Sequence, residues 1–358
     1  MNEAYVVNMT YLAPDLLAFA RQLLLAGGLS DDKAEAVAGI LLEGDLLGHT
    51  THGLALLAAY LGELESGKMR KEGEPLVVSD FPAALTWDGQ RLPGPWLVLQ
   101  AMSQAMARAA TQGTCTVVIR RSHHIACLAA YLQRATDAGY IMQLHCSDPN
   151  AASVAPFGGL DAVFTPNPMS AGIPTSSQPV LMDVSTSATT NGLTNRLYKE
   201  GKQLPAAWVM DGHGRASTDP AVLFAEPKGT ILPLGGMDSG HKGYGLSLMV
   251  EALTGGLAGH GRADPPEGWG ATVFLQIIDP RAFAGLPALH RQMDHITARC
   301  RAARPAQAGQ PVRTPGEGGL QRKVLAQRSG VALHASILPM LTPWAEKWGI
   351  DLPCPSTP

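Results

Sequence analysis

Over the first sixty residues the apolar positions follow the 3.6-residue period of helices. Pro14-Asp15 suits the first turn of one helix, and Ser30-Asp31-Asp32 is placed to cap a second that carries Val37, Ile40 and Leu41 at helical spacing. Gly27-Gly28 separates the two. In GDLLGHTTHGLALLAAYL (44–61), Leu54, Leu57, Ala58 and Leu61 fall at i, i+3, i+4 and i+7, so a third helix starts close to His52. From about residue 75 the period shortens, and PLVVSD, AALTWDG, TCTVVIR and AVFTPNP read as short strands between turn residues. A helix near 95–112 interrupts them, with Met102, Ala105, Met106 and Ala109 as its apolar stripe. Gly113 ends it before a strand at 114–119. Its methionines suit core filling. KGYGLSLMVEALTGGLAG (242–259) predicts a buried helix, ATVFLQIID (271–279) an apolar strand, and the Arg-, Pro- and Gly-rich stretch 300–320 an exposed loop. No internal repeat emerges.

The chain has 358 residues, enough for two subdomains or one large α/β unit with a deep cleft. Its 27 basic and 30 acidic residues are interspersed and sum to −3, which argues against nucleic acid or an anionic membrane as partner. MNEAYVVNMTYLAPDLL lacks the cationic flank of a signal peptide, and no apolar stretch reaches the ~18 residues of a membrane span. Five scattered cysteines (115, 127, 146, 300, 354), with no CxxC pair, predict reduced thiols in the cytoplasm rather than disulfides or a structural zinc site.

Histidines mark the candidate chemistry: His49/His52, His123/His124, His145 and His241. SHHIACLAAYL follows the strand TVVIRR, so Ser122 can cap a new helix whose first turn would offer N–H groups to an anion; the plain alternative is an ordinary cap with solvated histidines. GGMDSGHKGYG (235–245) opens another helix with Lys242 beside backbone donors. It matches neither GxGxxG nor the phosphate loop, which disfavours a Rossmann fold. LMDVSTSATTNG (181–192) puts Asp183 at a strand end before several hydroxyls, suited to ribose or phosphate oxygens or simply to a capped turn. HTTH has i, i+3 spacing rather than the i, i+4 pair with glutamate of zinc proteases, and Asp45 is the only close carboxylate. No metal is expected. A serine hydrolase is disfavoured by the absence of a GxSxG elbow.

Taken in order, D-L-L-G-H-T-T-H-G, S-H-H-I-A, A-P-F-G-G, N-P-M, D-V-S-T-S, N-G, H-K-G-Y-G-L and R-T-P-G-E resemble the motifs of the malate/L-lactate dehydrogenase type-2 oxidoreductases, over about residues 12–345. That family includes ureidoglycolate, sulfolactate and diketogulonate enzymes and Δ1-piperideine-2-carboxylate reductase. The resemblance implies a homodimeric enzyme using NAD or NADP, which passes hydride between nicotinamide and a small 2-hydroxy or 2-oxo acid. It implies an α/β fold in which a non-Rossmann cofactor domain with a mixed sheet (79–235 with about 263–324) joins a mainly helical domain (1–78 with about 236–262 and 325–358). His52 would be the proton donor, with Thr51 orienting it or touching the substrate, and His49 a supporting or structural neighbour. The dinucleotide would meet His123, His124, Ile125, Asp183, Val184, Ser185, Asn191, Gly192, His241, Lys242, Arg313, Pro315, Gly316 and Glu317.

The substrate side departs from the family pattern. The arginine four residues after the histidine is Leu56, the threonine of G-T-N-P becomes Pro166, and an aspartate after N-G becomes Leu193. Arg196 is the first candidate for a replacement carboxylate anchor and Arg121 the second. A cyclic-imine reductase using the same acid is one alternative, and a cofactor-binding protein without catalysis another.

Overall fold

The computed structural model describes residues 9–356. In chain order its elements are β1 (Thr10–Tyr11), α1 (Ala13–Ala26), α2 (Asp31–Leu47), α3 (Leu57–Glu65), β2 (Leu76–Phe81), β3 (Ala84–Asp88), α4 (Gly94–Gln112), β4 (Thr114–Ser122), α5 (Ala129–Asp137) and β5 (Ile141–Ser147). There follow β6 (Met169–Ile173), β7 (Val180–Val184), α6 (Asn191–Lys199), β8 (Val209–Met210), β9 (Ala216–Ser217), β10 (Thr230–Ile231), α7 (Gly236–Ser239) and α8 (His241–Glu251). β11 (Ala271–Ile278), α9 (Leu286–Arg301), α10 (Glu317–Ser329), β12 (Val331–Ala332) and α11 (Ile337–Trp348) complete the chain.

The main sheet has seven strands in the order β2-β3-β4-β11-β5-β6-β7. It is mixed: β3 and β4 run parallel and every other neighbouring pair is antiparallel. A parallel pair needs a crossover, which α4 supplies. This is the mixed α/β class the sequence predicts. The core joins the α2 side chains Val37, Ile40 and Leu41 to Val117 and Ile119 of β4 and to Val273, Leu275 and Ile277 of β11. Helices α1, α3 and α11 pack on one another, and α2 lies between α1, α4 and α5.

Four local expectations need correction. AVFTPNP forms only a single bridge, Phe164 to Val154, because Pro166 and Pro168 remove ladder donors. The 242–259 helix is buried on one side alone: Gly243, Ser247 and Val250 face inward, while Leu248, Met249 and Leu257 are exposed. With the π turn that extends it (Ala252–Gly256), it lies against β4, β11 and β5 rather than beside α1–α3. Ser122 caps no helix; it ends β4, its hydroxyl donates to the His123 carbonyl at 2.7 Å, and α5 starts only at Ala129. The loop expected over 300–320 is shorter, since α9 continues to Arg301 and α10 starts at Glu317.

Candidate active site

The HTTHG loop begins where α2 stops. Gly48 takes φ 90°, a left-handed turn suited to glycine, and the N–H groups of Gly48 and His49 return to the carbonyls of Asp45 and Gly44 at 2.9 and 2.8 Å. The His52 N–H then bonds the His49 carbonyl at 2.8 Å, and a short 3₁₀ turn over Leu54–Leu56 leads into α3. At the far end of the loop the Leu54 N–H donates to Asp45 Oδ2 at 2.7 Å. The loop is therefore tied to α2 at both ends.

His52 is half-buried, and its Nδ1 lies 2.9 Å from Thr51 Oγ1. Burial holds the imidazole below its usual range; the negative charge of Asp183 opposes this, and His49 and Arg196 add to it. Two other elements close on the ring. Gly192, at the start of α6, sits so near that a Cβ there would lie 3.2 Å from Thr51 Cβ and 3.7 Å from His52 Cε1. From the loop after β4, the His124 ring stands 6.1 Å from that of His52. His124 stacks on Trp269 at 4.7 Å, and the Tyr60 hydroxyl lies 2.8 Å from its Nδ1. Burial drives His124 far below the ordinary histidine range, and His52 and His123 add to that.

His123 is fully buried, with Nε2 3.3 Å from Glu63 Oε2 and Nδ1 without a partner; burial brings its pKa down to about 3. Its ring faces Tyr60 and Trp269 edge-on. Ile125 is buried and its carbonyl accepts from the Tyr131 hydroxyl. These residues form the wall behind His52.

Strand β7 gathers the remaining pieces. Asp183 Oδ2 accepts from the Ala129 N–H at 2.8 Å and from the Cys127 thiol at 3.7 Å, so it caps α5. Val184 is exposed at the strand end, and the following Thr186 bonds the Pro166 carbonyl through both N–H and hydroxyl at 2.9 Å. Thr186 also accepts the Leu234 N–H, and Gly243 packs tightly on Leu234, which brings exposed His241 and Lys242 beside the 183–186 run. At the other end of β7 the Leu181 N–H donates to the Pro315 carbonyl, and Gly316 packs on Leu181. Arg313 is exposed there, whereas Glu317 is engaged: its Oε2 accepts from Arg301 Nε at 3.0 Å and from Thr314.

The two arginines considered as carboxylate anchors are both occupied. Arg196 donates to Thr50, and Arg121 pairs with Asp88 at 2.9 Å and with Glu267 at 3.5 Å. Leu56 and Pro166 offer no side-chain donor. Among the described residues, one group has metal-ligand atoms within 4.8 Å of one another: His49, Cys127 and Asp183. The thiol and carboxylate of that group already hydrogen-bond each other.

Tyr60, Cys127 and Trp269 escape a reading of the motifs, and Asp45, although it opens the D-L-L-G-H-T-T-H-G motif, is read there only as the carboxylate nearest a possible metal site. Tyr60 and Cys127 sit inside a helix or an apolar run whose periodicity accounts for them, Trp269 sits between two glycines in the turn before β11, and only the fold shows the facing partners. A further local sign at Asp45 is a carboxylate among the apolar positions of α2, and it is 7% exposed.

The malate/L-lactate dehydrogenase family pattern matches residues 12–342. The chain belongs to this family. It is therefore an oxidoreductase acting on CH–OH or C=O. It is 32% identical over 305 residues to the L-lactate dehydrogenase of Cupriavidus necator, covering 83% of this chain and 86% of that one. To the Delta(1)-pyrroline-2-carboxylate reductase of Ancylobacter novellus it is 30% identical over 331 residues, covering 88% and 92%. Its fold matches the crystal structure of malate dehydrogenase from Entamoeba histolytica with a TM-score of 0.91 at 24% identity, over 96% of this chain and 99% of that one.

Proposed function

We propose that the protein transfers hydride between NAD or NADP and a small 2-hydroxy or 2-oxo acid, with His52 as the proton donor in reduction. The observation that carries this reading is the His52 imidazole, held by a loop tied at both ends, with Nδ1 engaged by Thr51 so that Nε2 is left for a substrate oxygen. A bound dihydronicotinamide supplies the hydride. His52 gives a proton to the carbonyl oxygen as charge develops on it, a role worth about 10² to 10⁴ in rate. The residues fit a dinucleotide: His241, Lys242, Val184 and Arg313 stand exposed along β7, and neither His241 nor Lys242 has a hydrogen-bonding side-chain partner among the described residues. His123, His124 and Ile125 line the site from behind, with Ser185, Asn191 and Gly192 completing it. Reduction of a C=N bond by the same acid is a second reading, supported by the pyrroline-2-carboxylate reductase among the relatives.

We read the active form as a cytoplasmic homodimer. Leu248, Met249 and Leu257 expose an apolar face suited to a second copy, and all five cysteines are free thiols. The test is oxidation of NADH and NADPH with a panel of 2-oxo acids, cyclic imines and aldehydes, beside His52→Gln and Lys242→Ala. His52→Gln lowers kcat by about 10² to 10⁴ with cofactor affinity retained. Lys242→Ala weakens dinucleotide binding about 10-fold or more, as loss of a charged hydrogen-bond partner does. Near-normal turnover by His52→Gln would remove the role assigned to it.

A further inference from the structure

We propose that Asp45 positions His52, acting as the clamp that sets where the imidazole stands. The inference rests on the reading of His52 as the proton donor. Asp45 projects from the last turn of α2 and is nearly buried, yet it makes no ion pair within salt-bridge distance among the described residues. Its Oδ2 takes the Leu54 N–H at 2.7 Å, two residues beyond His52, while Oδ1 has no partner. A buried carboxylate that accepts only one bond, from a backbone amide, is costly to keep unless that bond holds something in place.

The surrounding residues make the clamp rigid. A Cβ at residue 53 would overlap the Asp45 carboxylate, so the backbone beside His52 is pressed directly on it. A Cβ at residue 44 would lie 3.0 Å from the His52 carbonyl oxygen. Gly44 and Asp45 thus hold the backbone from the His52 carbonyl to Leu54, and the Gly44 carbonyl takes the His49 N–H at the start of the loop. From the opposite side Arg196 grips Thr50, and its positive charge reaches Asp45. Burial raises the Asp45 pKa to about 7 against the Leu54 bond and that charge. With both ends fixed, the His52 side chain has little freedom left except rotation about its own bonds, which Thr51 limits. Misplacing a reacting group by about 1 Å can reduce rate by about 10².

The test compares Asp45→Ala, which removes the acceptor, with Asp45→Asn, which keeps an oxygen where Oδ2 is. Asp45→Ala should lower kcat about 10- to 100-fold, with KM for the nicotinamide cofactor within about twofold, and Asp45→Asn should recover most of the rate. Equal kcat in wild type and both variants overturns the proposal, as does loss of cofactor affinity in step with kcat. If Asp45→Ala does not fold, Asp45→Leu, which fills the site without an acceptor, takes its place under the same criteria. Amide hydrogen exchange over residues 49–54 gives a readout independent of turnover. Faster exchange in the acceptor-free variant than in Asp45→Asn supports the clamp, and identical exchange overturns it. A wild type that turns over no carbonyl or imine would count against the proposed function, and the exchange data would still decide the clamp.

Discussion

Arg196 donates to Thr50 at two points, Nη1 to the hydroxyl at 2.9 Å and Nη2 to the carbonyl at 2.8 Å. A guanidinium held this way shapes the loop that carries His52 before any substrate arrives. Removing it should therefore slow the chemistry for every substrate. Arg196→Ala is expected to lower kcat about 10-fold or more on 2-oxo acids and on uncharged carbonyls alike. Arg196→Lys, which cannot make both bonds in the same plane, should recover only part of that loss. A drop confined to carboxylate substrates would show instead that Arg196 binds the substrate's acid group.

The direction of the His52 shift sets the pH dependence. Reduction needs the imidazolium, whose population falls as pH rises through the folded pKa, and burial places that pKa below the ordinary ~6.5. The kcat/KM for reduction should therefore decline above a midpoint lying under ~6.5, while oxidation of the hydroxy acid, which needs neutral His52 as base, should rise through the same midpoint. Rate profiles from pH 5 to 8 in both directions decide it. A midpoint above ~6.5, or the same limb in His52→Gln, would assign the titration to another group.

Much of this site is legible in the chain, for a physical reason in each case. The 3.6 period through Val37, Ile40 and Leu41 makes α2 readable, and Gly48 at its end makes the turn into His49 readable. The stretch 122–128 misleads because Ser122 before two histidines has the look of a helix cap. In the fold, β4 runs to Ser122, and the loop after it is non-helical, with His123 packed against Tyr60 and Trp269, residues 63 before and 146 after it. Contacts at that separation leave no periodic trace. Arg196 likewise shows its role only when α6 meets the HTTH loop.

Ala126 carries a testable strain. It has φ 59°, a left-handed conformation that costs a residue with a Cβ about 1–2 kcal/mol. Its side chain is a single methyl, so removing it opens little space. Ala126→Gly should raise the unfolding free energy by about 1 kcal/mol after the added freedom of the unfolded chain is counted. Urea unfolding monitored by circular dichroism would show it, and a lower midpoint for the glycine variant would mean that the methyl's packing outweighs the strain.

His145 offers a test of acid stability away from the site. It lies in β5, 2% exposed, stacked on Phe274 at 5.4 Å, and neither ring nitrogen has a hydrogen-bond partner. Burial lowers its pKa to about 4, so the folded protein keeps it neutral where the unfolded chain, near ~6.5, takes up a proton. The sign follows: the unfolded state binds more protons as pH falls below ~6.5, and folding stability is lost through that window until the folded residue also titrates near 4. At pH 5 the loss from this one residue is about 2 kcal/mol, taking 1.36 kcal/mol per pH unit. His145→Met fills similar space without the nitrogens, and it should be more stable than wild type at pH 7 by about 1 kcal/mol. That margin should widen by about 2 kcal/mol at pH 5. Denaturant unfolding at the two pH values measures both margins, and an unchanged gap between them would show that His145 is already protonated in the folded protein at pH 5.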